Sequence, residues 1–204
     1  MRTAEVKVYK FEELGDEAKE RALRDYTENG FHYEWWDCTE EFFKQCLKAL
    51  GIEVDQTFFS GFDIQGDGAS FDGGFTFRKD WREVLEKITT GGRLYDACIE
   101  AGQTLEEAQT RYLEIPEDDR DGDAIGCDIV ARKGRYCHSG MMDIAFIDST
   151  EEDGETILQA LTELADEYYF ILRDEWEYLT SAEALQETAE ANGWEYDESG
   201  DMFF

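Results

Sequence analysis

The most informative stretch of this chain is residues 52–77, IEVDQTFFSGFDIQGDGASFDGGFTF. Two phenylalanine-rich runs, 52–62 and 69–77, flank the turn sequence QGDG at 65–68. Aromatic residues favour strands, and a glycine-rich turn between two such runs is typical of a β-hairpin. We therefore predict two neighbouring antiparallel strands here, whose phenylalanines supply much of the core.

The rest of the chain alternates between helical and strand patterns. Apolar residues at spacings of three and four predict helices at 11–30, 33–51, 81–88, 94–113, 155–178 and 182–192. A short strand is expected at 5–11, a second hairpin at 125–131 and 141–147, and a last strand or hairpin in 194–204. Thr180 and Glu183 have the spacing of a capping box for the last helix. The order predicts an α+β fold, with an antiparallel sheet built from hairpins and helices packed on one face.

Composition indicates one folded domain with an unusual charge. The chain has 204 residues, of which 42% are hydrophobic and 14% aromatic, which is too apolar for a disordered acidic tail. We expect residues 1–204 to form a single acidic α+β domain. There are 50 acidic residues against 19 basic ones, so the formal net charge is −31. Residues 151–204 form a strongly acidic, helical C-terminal part, with 17 acids and one base, Arg173.

This charge restricts the class of partner. A strongly negative protein is repelled by nucleic acid and by anionic membranes, and it is attracted to basic proteins. We therefore expect no direct binding of nucleic acid or membrane, and a basic host protein or nucleic-acid-binding complex as the partner. Adaptation to high salt is the competing explanation, and the excess of arginine over lysine, 11 to 8, fits it.

The long predicted helix at 155–178 carries the candidate binding residues. Its apolar stripe includes Leu161, Leu164, Tyr168 and Leu172, at helical spacing. The opposite face presents acidic residues and one aromatic side chain; the candidate partner-binding residues are Glu163, Asp166, Glu167, Phe170, Asp174 and Glu177. A rigid array of carboxylates can imitate the phosphates of a duplex, which carries one charge per about 1.7 Å of helix axis.

No pattern of residues indicates catalysis, a metal or a cofactor. Five cysteines occur without a CxxC pair, and His32 and His138 are the only histidines. Asp63, Asp67 and Asp72 lack the spacing of a calcium loop, as does the acidic stretch 119–123. We therefore expect a protein that is not an enzyme, in a reducing cytoplasm. The alternative is a small ligand-binding or enzymatic domain that uses the glycine-rich hairpin.

Four blocks of sequence resemble a known family. They are KVYKFEELGDEAKERAL (7–23), FFSGFDIQGDGASFDGGF (58–75), KGRYCHSGMMDIAF (133–146) and DEWEYLTSAEALQETAEANGWEYDESG (174–200). In this order they resemble a widespread family of phage and prophage proteins that are often labelled antitoxins of a toxin–antitoxin stability system. The resemblance implies a phage-type setting and an α+β fold, and it carries no catalytic residues.

The resemblance and the charge together lead to a functional hypothesis. A phage benefits from inhibiting host machinery, and a strongly acidic surface can bind the basic surfaces of such machinery. The hypothesis is a phage-type anti-defence protein in the host cytoplasm. It binds a basic, nucleic-acid-handling host complex, such as a CRISPR effector or a restriction enzyme, as a nucleic-acid mimic. An antitoxin-like inhibitor of a toxin is the alternative within the same binding class.

Overall fold

The chain folds into two compact units. The computed structural model describes residues 7–30, 33–62, 64–132, 134, 136–145 and 151–203. The larger unit is Asp37–Leu172, and the smaller unit combines Met1–Trp36 with Arg173–Phe204. The acidic segment 151–204 does not coincide with either unit, because residues 151–172 belong to the larger one.

Apart from short 3-10 helices, pairs of helices and pairs of strands alternate along the described chain. The first six elements are α1 (Asp16–Asn29), α2 (Asp37–Ala49), β1 (Ile52–Ser60), β2 (Gly68–Thr76), α3 (Trp81–Ile88) and α4 (Arg93–Leu113). The next six are β3 (Gly126–Ala131), β4 (Met142–Ala145), α5 (Glu151–Leu179), α6 (Ala182–Asn192), β5 (Glu195–Tyr196) and β6 (Met202–Phe203). Among the described residues, no helix combines the length and the apolar composition that a membrane crossing requires.

Four strands of the larger unit form an antiparallel sheet in the order β1-β2-β3-β4. The predicted hairpin is confirmed: Thr57 pairs with Phe71, and Phe58 pairs with Ser70. The second hairpin is also confirmed, with Ile129 opposite Ile144. Its second strand is described as far as Ala145, and the predicted positions 146 and 147 lie outside the described residues.

The core of the larger unit joins its helices to one face of the sheet. Phe43 of α2 stacks on Tyr168 of α5, with ring centroids 4.3 Å apart, and its ring lies 5.8 Å from that of Phe71 on β2. Leu161 and Leu164 of the predicted apolar stripe are fully buried. The fold is therefore α+β, as the sequence predicted, with helices covering the phenylalanine face of the hairpin.

The smaller unit has its own hydrophobic core between α1 and α6. Its buried members are Phe11, Leu14, Ala18, Ala22, Tyr26, Leu185, Ala189 and Tyr196. The predicted strand at 5–11 is reduced, within its described part, to a bridge between Tyr9 and Tyr196. The helix predicted at 11–30 begins only at Asp16. The chain end forms the two-stranded hairpin of β5 and β6.

The capping residue of α6 differs from the prediction. Ser181, and not Thr180, is the N-cap, and its hydroxyl oxygen accepts a hydrogen bond from the backbone N–H of Ala184 at 3.1 Å. The Thr180 hydroxyl instead donates to the carbonyl oxygen of Trp176 at 2.7 Å. Both residues can cap a helix, and the register at the end of α5 decides between them.

Candidate functional site

Four of the six predicted binding residues lie together on α5 in the larger unit. Glu163, Asp166, Glu167 and Phe170 follow one another at helical spacing, on the face opposite Leu161 and Leu164. Glu163 and Asp166 are exposed, whereas Glu167 and Phe170 are half-buried. This difference indicates that a neighbouring element covers one edge of the acidic face.

The neighbouring element is the first part of α4. Together the two helices line a groove of about 440 Å³, which we call the acidic groove; its residues are Arg93, Asp96, Ala97, Glu100, Glu163, Asp166, Glu167 and Phe170. The α4 members recur at positions i, i+3, i+4 and i+7, which is one face of a helix. The groove therefore brings five carboxylates from two helices to one surface.

Arg93 is the only basic residue that lines the described groove. Its Nε lies 2.5 Å from Oε2 of Glu167, and its Nη2 lies 3.4 Å from Oε1. The guanidinium carbon also lies 4.7 Å from the ring centroid of Phe170, which is a cation–π distance. One half-buried carboxylate and one aromatic ring therefore already hold a guanidinium group in this groove.

The negative charges of the other four groove carboxylates are not compensated by a nearby positive charge among the described residues. Glu163 accepts a hydrogen bond from Gln159 Nε2 at 2.9 Å, which supplies no positive charge. The side chains of Asp96, Glu100 and Asp166 make no hydrogen bond or ion pair with a described residue. Carboxylates that crowd in this way repel one another, and a cation entering the groove relieves the repulsion. The arrangement is suited to binding guanidinium or ammonium groups.

Asp174 and Glu177, the other two predicted residues, belong to the smaller unit. Both are exposed, and Arg173 lies beside them. Arg173 Nη2 is 3.2 Å from Oδ1 of Asp174, and its Nε is 3.6 Å from Oε1 of Glu177. The single base in the acidic C-terminal part therefore already neutralises part of this pair, in contrast to the carboxylates of the groove.

The aromatic residues near the predicted acidic face divide into core and surface. Tyr168 is fully buried against Phe43, so it is a core residue, and burial raises its pKa. In the smaller unit, Trp35 packs against Trp36 and Trp176, with centroids 5.6 and 5.4 Å away. Tyr178 is exposed, and its hydroxyl donates to Glu187 Oε2 at 2.9 Å, which raises the pKa of the phenol.

Asp67 and Asp123 belong to the acidic turns that were compared with calcium loops, and their carboxylates make hydrogen bonds within those turns. Asp67 Oδ2 accepts the backbone N–H of Ile64 at 2.9 Å, which closes the hairpin turn. Asp123 Oδ1 accepts from Arg120 at 3.1 Å, and its carbonyl accepts from the buried Gln109. Asp63 lies outside the described residues. Within the part that the structure covers, no group of three or more His, Cys, Asp or Glu side chains is arranged to hold a metal ion.

The sequence interpretation missed the α4 half of the groove. Arg93, Asp96 and Glu100 share a helical face that periodicity alone can identify. Nothing in that periodicity indicates that the face lies beside α5, because α5 comes much later in the chain. A search for charged faces on every predicted helix would have included Asp96 and Glu100 as candidates, whereas Arg93 lies one residue before the predicted helix 94–113.

Comparison with known protein families assigns most of the chain to one family. Residues 35–182 match DUF8835, a domain of unknown function, and the chain belongs to this family. The matched region includes the whole of the larger unit, Asp37–Leu172, and therefore the entire acidic groove. No curated protein and no solved structure matches the chain.

Proposed function

We propose that this protein binds a basic, nucleic-acid-handling protein through the acidic groove and so excludes nucleic acid from that partner. The observation that carries the proposal is the groove itself, in which five carboxylates face one guanidinium group. Lysine and arginine side chains that normally contact phosphates are the chemical match for such a surface. The role is one of binding, not catalysis.

The resemblance to phage proteins supplies the biological setting of the proposal. In a host cytoplasm, a phage-type protein of net charge −31 would act as an anti-defence factor against a CRISPR effector or a restriction enzyme. An antitoxin-like role against a basic toxin uses the same groove chemistry. The two settings differ in the partner, so identification of the partner separates them.

High-salt adaptation is the explanation that an experiment must separate from specific binding. If the acidity is an adaptation to salt, it is spread over the surface, and the position of a charge reversal should not affect partner binding. Specific binding makes the groove more sensitive than other acidic positions. The groove variant carries Glu163→Lys with Asp166→Lys. The control carries Glu106→Lys with Glu107→Lys, two exposed acids of α4 outside the groove, and changes the net charge equally.

The test compares the full-length protein and both variants as baits in host cells. The copurified partner is then assayed for binding of its own nucleic acid in the presence of each bait. We expect the wild type and the control to displace nucleic acid, and the groove variant to be weaker by about tenfold. Displacement should also decline steeply as salt is raised.

Two outcomes would contradict the proposal. One is equal loss of displacement in the groove variant and the control, which would assign the effect to overall charge. The other is simultaneous binding of nucleic acid and this protein to the partner, which would exclude competition for a shared surface. Both variants change exposed positions, so their thermal stability should match or slightly exceed that of the wild type, within about 1 kcal/mol.

A further inference from the structure

A second cavity in the larger unit lies at the glycine-rich hairpin and has a different chemistry. It has a volume of about 200 Å³, and we call it the hairpin pocket; its main lining residues are Phe58, Ser70, Ala131, Arg132, Tyr136 and Cys137. Phe58 and Ser70 are paired across β1 and β2, so they supply neighbouring parts of one wall. The segment after β3 supplies the opposite wall.

The pocket exists because β3 leaves β2 at this point. The β2–β3 ladder ends at the pair Gly73 and Ile129. Two residues later, the backbone N–H of Ala131 donates to the side-chain carboxylate of Asp72 instead of to a strand carbonyl. The chain then turns away, and Arg132 N donates to the carbonyl oxygen of Met141 at 2.9 Å. The strands separate above Ser70, and the space between them forms the pocket.

Two glycines of the hairpin turn allow residues 136–138, which belong to the opposite wall, to lie close to the turn. Gly66 has φ +98°, and a Cβ there would lie 2.5 Å from the Tyr136 ring. A Cβ on Gly68 would lie 2.5 Å from Cα of His138. Any larger residue would push the segment 136–138 away, so these glycines permit the close approach that encloses the pocket. The close approach therefore consists of the Tyr136 ring on Gly66 and the His138 backbone on Gly68.

Ser70 is the polar group that points to a ligand. Its residue is only 2% exposed, it lines the pocket, and its side chain makes no hydrogen bond with a described residue. Because Ser70 lines the pocket, a ligand atom or a water molecule there can hydrogen-bond to its hydroxyl. Phe58 and Ala131 provide an apolar surface beside it. The pocket thus combines an apolar wall with a hydroxyl that is available to a ligand.

Arg132 supplies a positive charge at the pocket. Residues 129–142 form the longest stretch without an acidic residue in the sequence, and they contain Arg132, Lys133 and Arg135. Arg132 lines the pocket, with one guanidinium nitrogen on Asp143 Oδ2 at 2.9 Å. Arginine carries five N–H donors, so its remaining donors can bind an anion. Asp72 and Asp143 are hydrogen-bonded at this segment, and repulsion from acids farther away is screened over about 8 Å at physiological salt.

We propose that the hairpin pocket binds a small organic carboxylate. The apolar body of the ligand contacts Phe58 and Ala131, the Ser70 hydroxyl hydrogen-bonds to it, and its carboxylate binds Arg132. The volume corresponds to about six or seven water molecules in the liquid, which suits a compound the size of benzoate. This site is separate from the acidic groove and does not depend on the groove's function.

Two thiols in the chain allow a direct test on the full-length protein. Cys137 lines the pocket and is partly exposed, whereas Cys38 is exposed and does not line it. Iodoacetamide alkylation of both residues is followed by peptide mass spectrometry as benzoate or its neutral counterpart benzamide is added. We expect benzoate to slow alkylation of Cys137 in a saturable way and to leave Cys38 unchanged. Benzamide should require about tenfold higher concentration, because it lacks the ionic hydrogen bond to Arg132.

The Arg132→Gln variant tests whether the ligand carboxylate binds Arg132. Its side chain is 71% exposed, so the fold should tolerate the change, and thermal unfolding checks this. Benzoate should then protect Cys137 no better than benzamide does. Lys79→Gln removes one positive charge from an exposed position away from the pocket and should leave the protection unchanged.

Three results would overturn the proposal. No protection of Cys137 by benzoate excludes the site. Equal protection of the wild type by benzoate and benzamide excludes recognition of the anion. Equal slowing at Cys38 shows that the effect is not local. The comparison of the two ligands on the wild-type protein decides the question even if the Arg132 variant does not fold.

Discussion

The acidic groove and the hairpin pocket lie in the same unit but differ in how they are built. Side chains from two helices make the groove, and most of its carboxylates lie at the surface. Backbone turns, two glycines and a departing strand make the pocket, which encloses a buried serine. Binding in the groove depends on the density of charge, and binding in the pocket depends on its shape. Substitutions in the groove should therefore alter binding, whereas substitutions at the hairpin turn should alter folding.

The largest expected effect concerns the thiols near the hairpin. Cys127 faces the core from β3, and burial raises its pKa to about 12. A raised pKa leaves less thiolate at any lower pH, so alkylation of Cys127 at pH 8 should be about a thousandfold slower than that of an unperturbed thiol. Cys38 and Cys137 should react readily, as measured by peptide mass spectrometry. Similar rates at Cys127 and Cys137 would show that the core face opens as easily as the pocket.

The next largest effect is the loss of stability in Gly66→Ala. The new methyl group meets the Tyr136 ring and the residue has positive φ, so the free energy of unfolding should fall by about 2–3 kcal/mol. Gly122→Ala is the matched control, because Gly122 has φ +84° but open space around its Cβ position. It should cost only about 1 kcal/mol, from the backbone alone. Urea unfolding measures both, and equal losses would mean that contact with Tyr136 contributes nothing.

A smaller effect separates the groove from the acidic pair of the smaller unit. Asp174→Lys with Glu177→Lys alters carboxylates that Arg173 already accompanies. We expect association with the basic partner to slow by about threefold, compared with about tenfold for the groove variant. Stopped-flow measurements at low salt provide both rates. A larger effect of the Asp174 and Glu177 variant would move the binding surface to the smaller unit.

The smallest effect is expected for Arg93→Gln. The change removes the one cation among the described groove residues and releases Glu167, so attraction for a basic partner should increase and association should accelerate by about twofold. The lost ion pair is partly exposed, and stability should fall by under about 1 kcal/mol. The same stopped-flow assay measures the rate. Slower association would indicate that Arg93 itself contacts the partner.

Local sequence patterns were sufficient for most of the secondary structure. The bounds of α3 and α6 match the predicted 81–88 and 182–192 residue for residue, and both hairpins of the four-stranded sheet pair as predicted. Alternation along a strand and spacing along a helix depend on neighbouring residues, so they can be read directly from the chain. The cap was misassigned, because the capping-box spacing selects Thr180 with Glu183, whereas Ala184 stands three residues after the true cap, Ser181.

The charge, the hairpins and the face of α5 that carries Glu163, Asp166, Glu167 and Phe170 could be predicted from the order of residues alone. The folded structure was needed to show that Arg93, Asp96 and Glu100 of α4 complete the groove, and that Asp174 and Glu177 belong to another unit. It also decided that β3 leaves β2 above Ser70 and opens a pocket. The physical reason is that helical and strand periods fix which side chains share a face, whereas the element opposite that face is chosen by packing between distant parts of the chain.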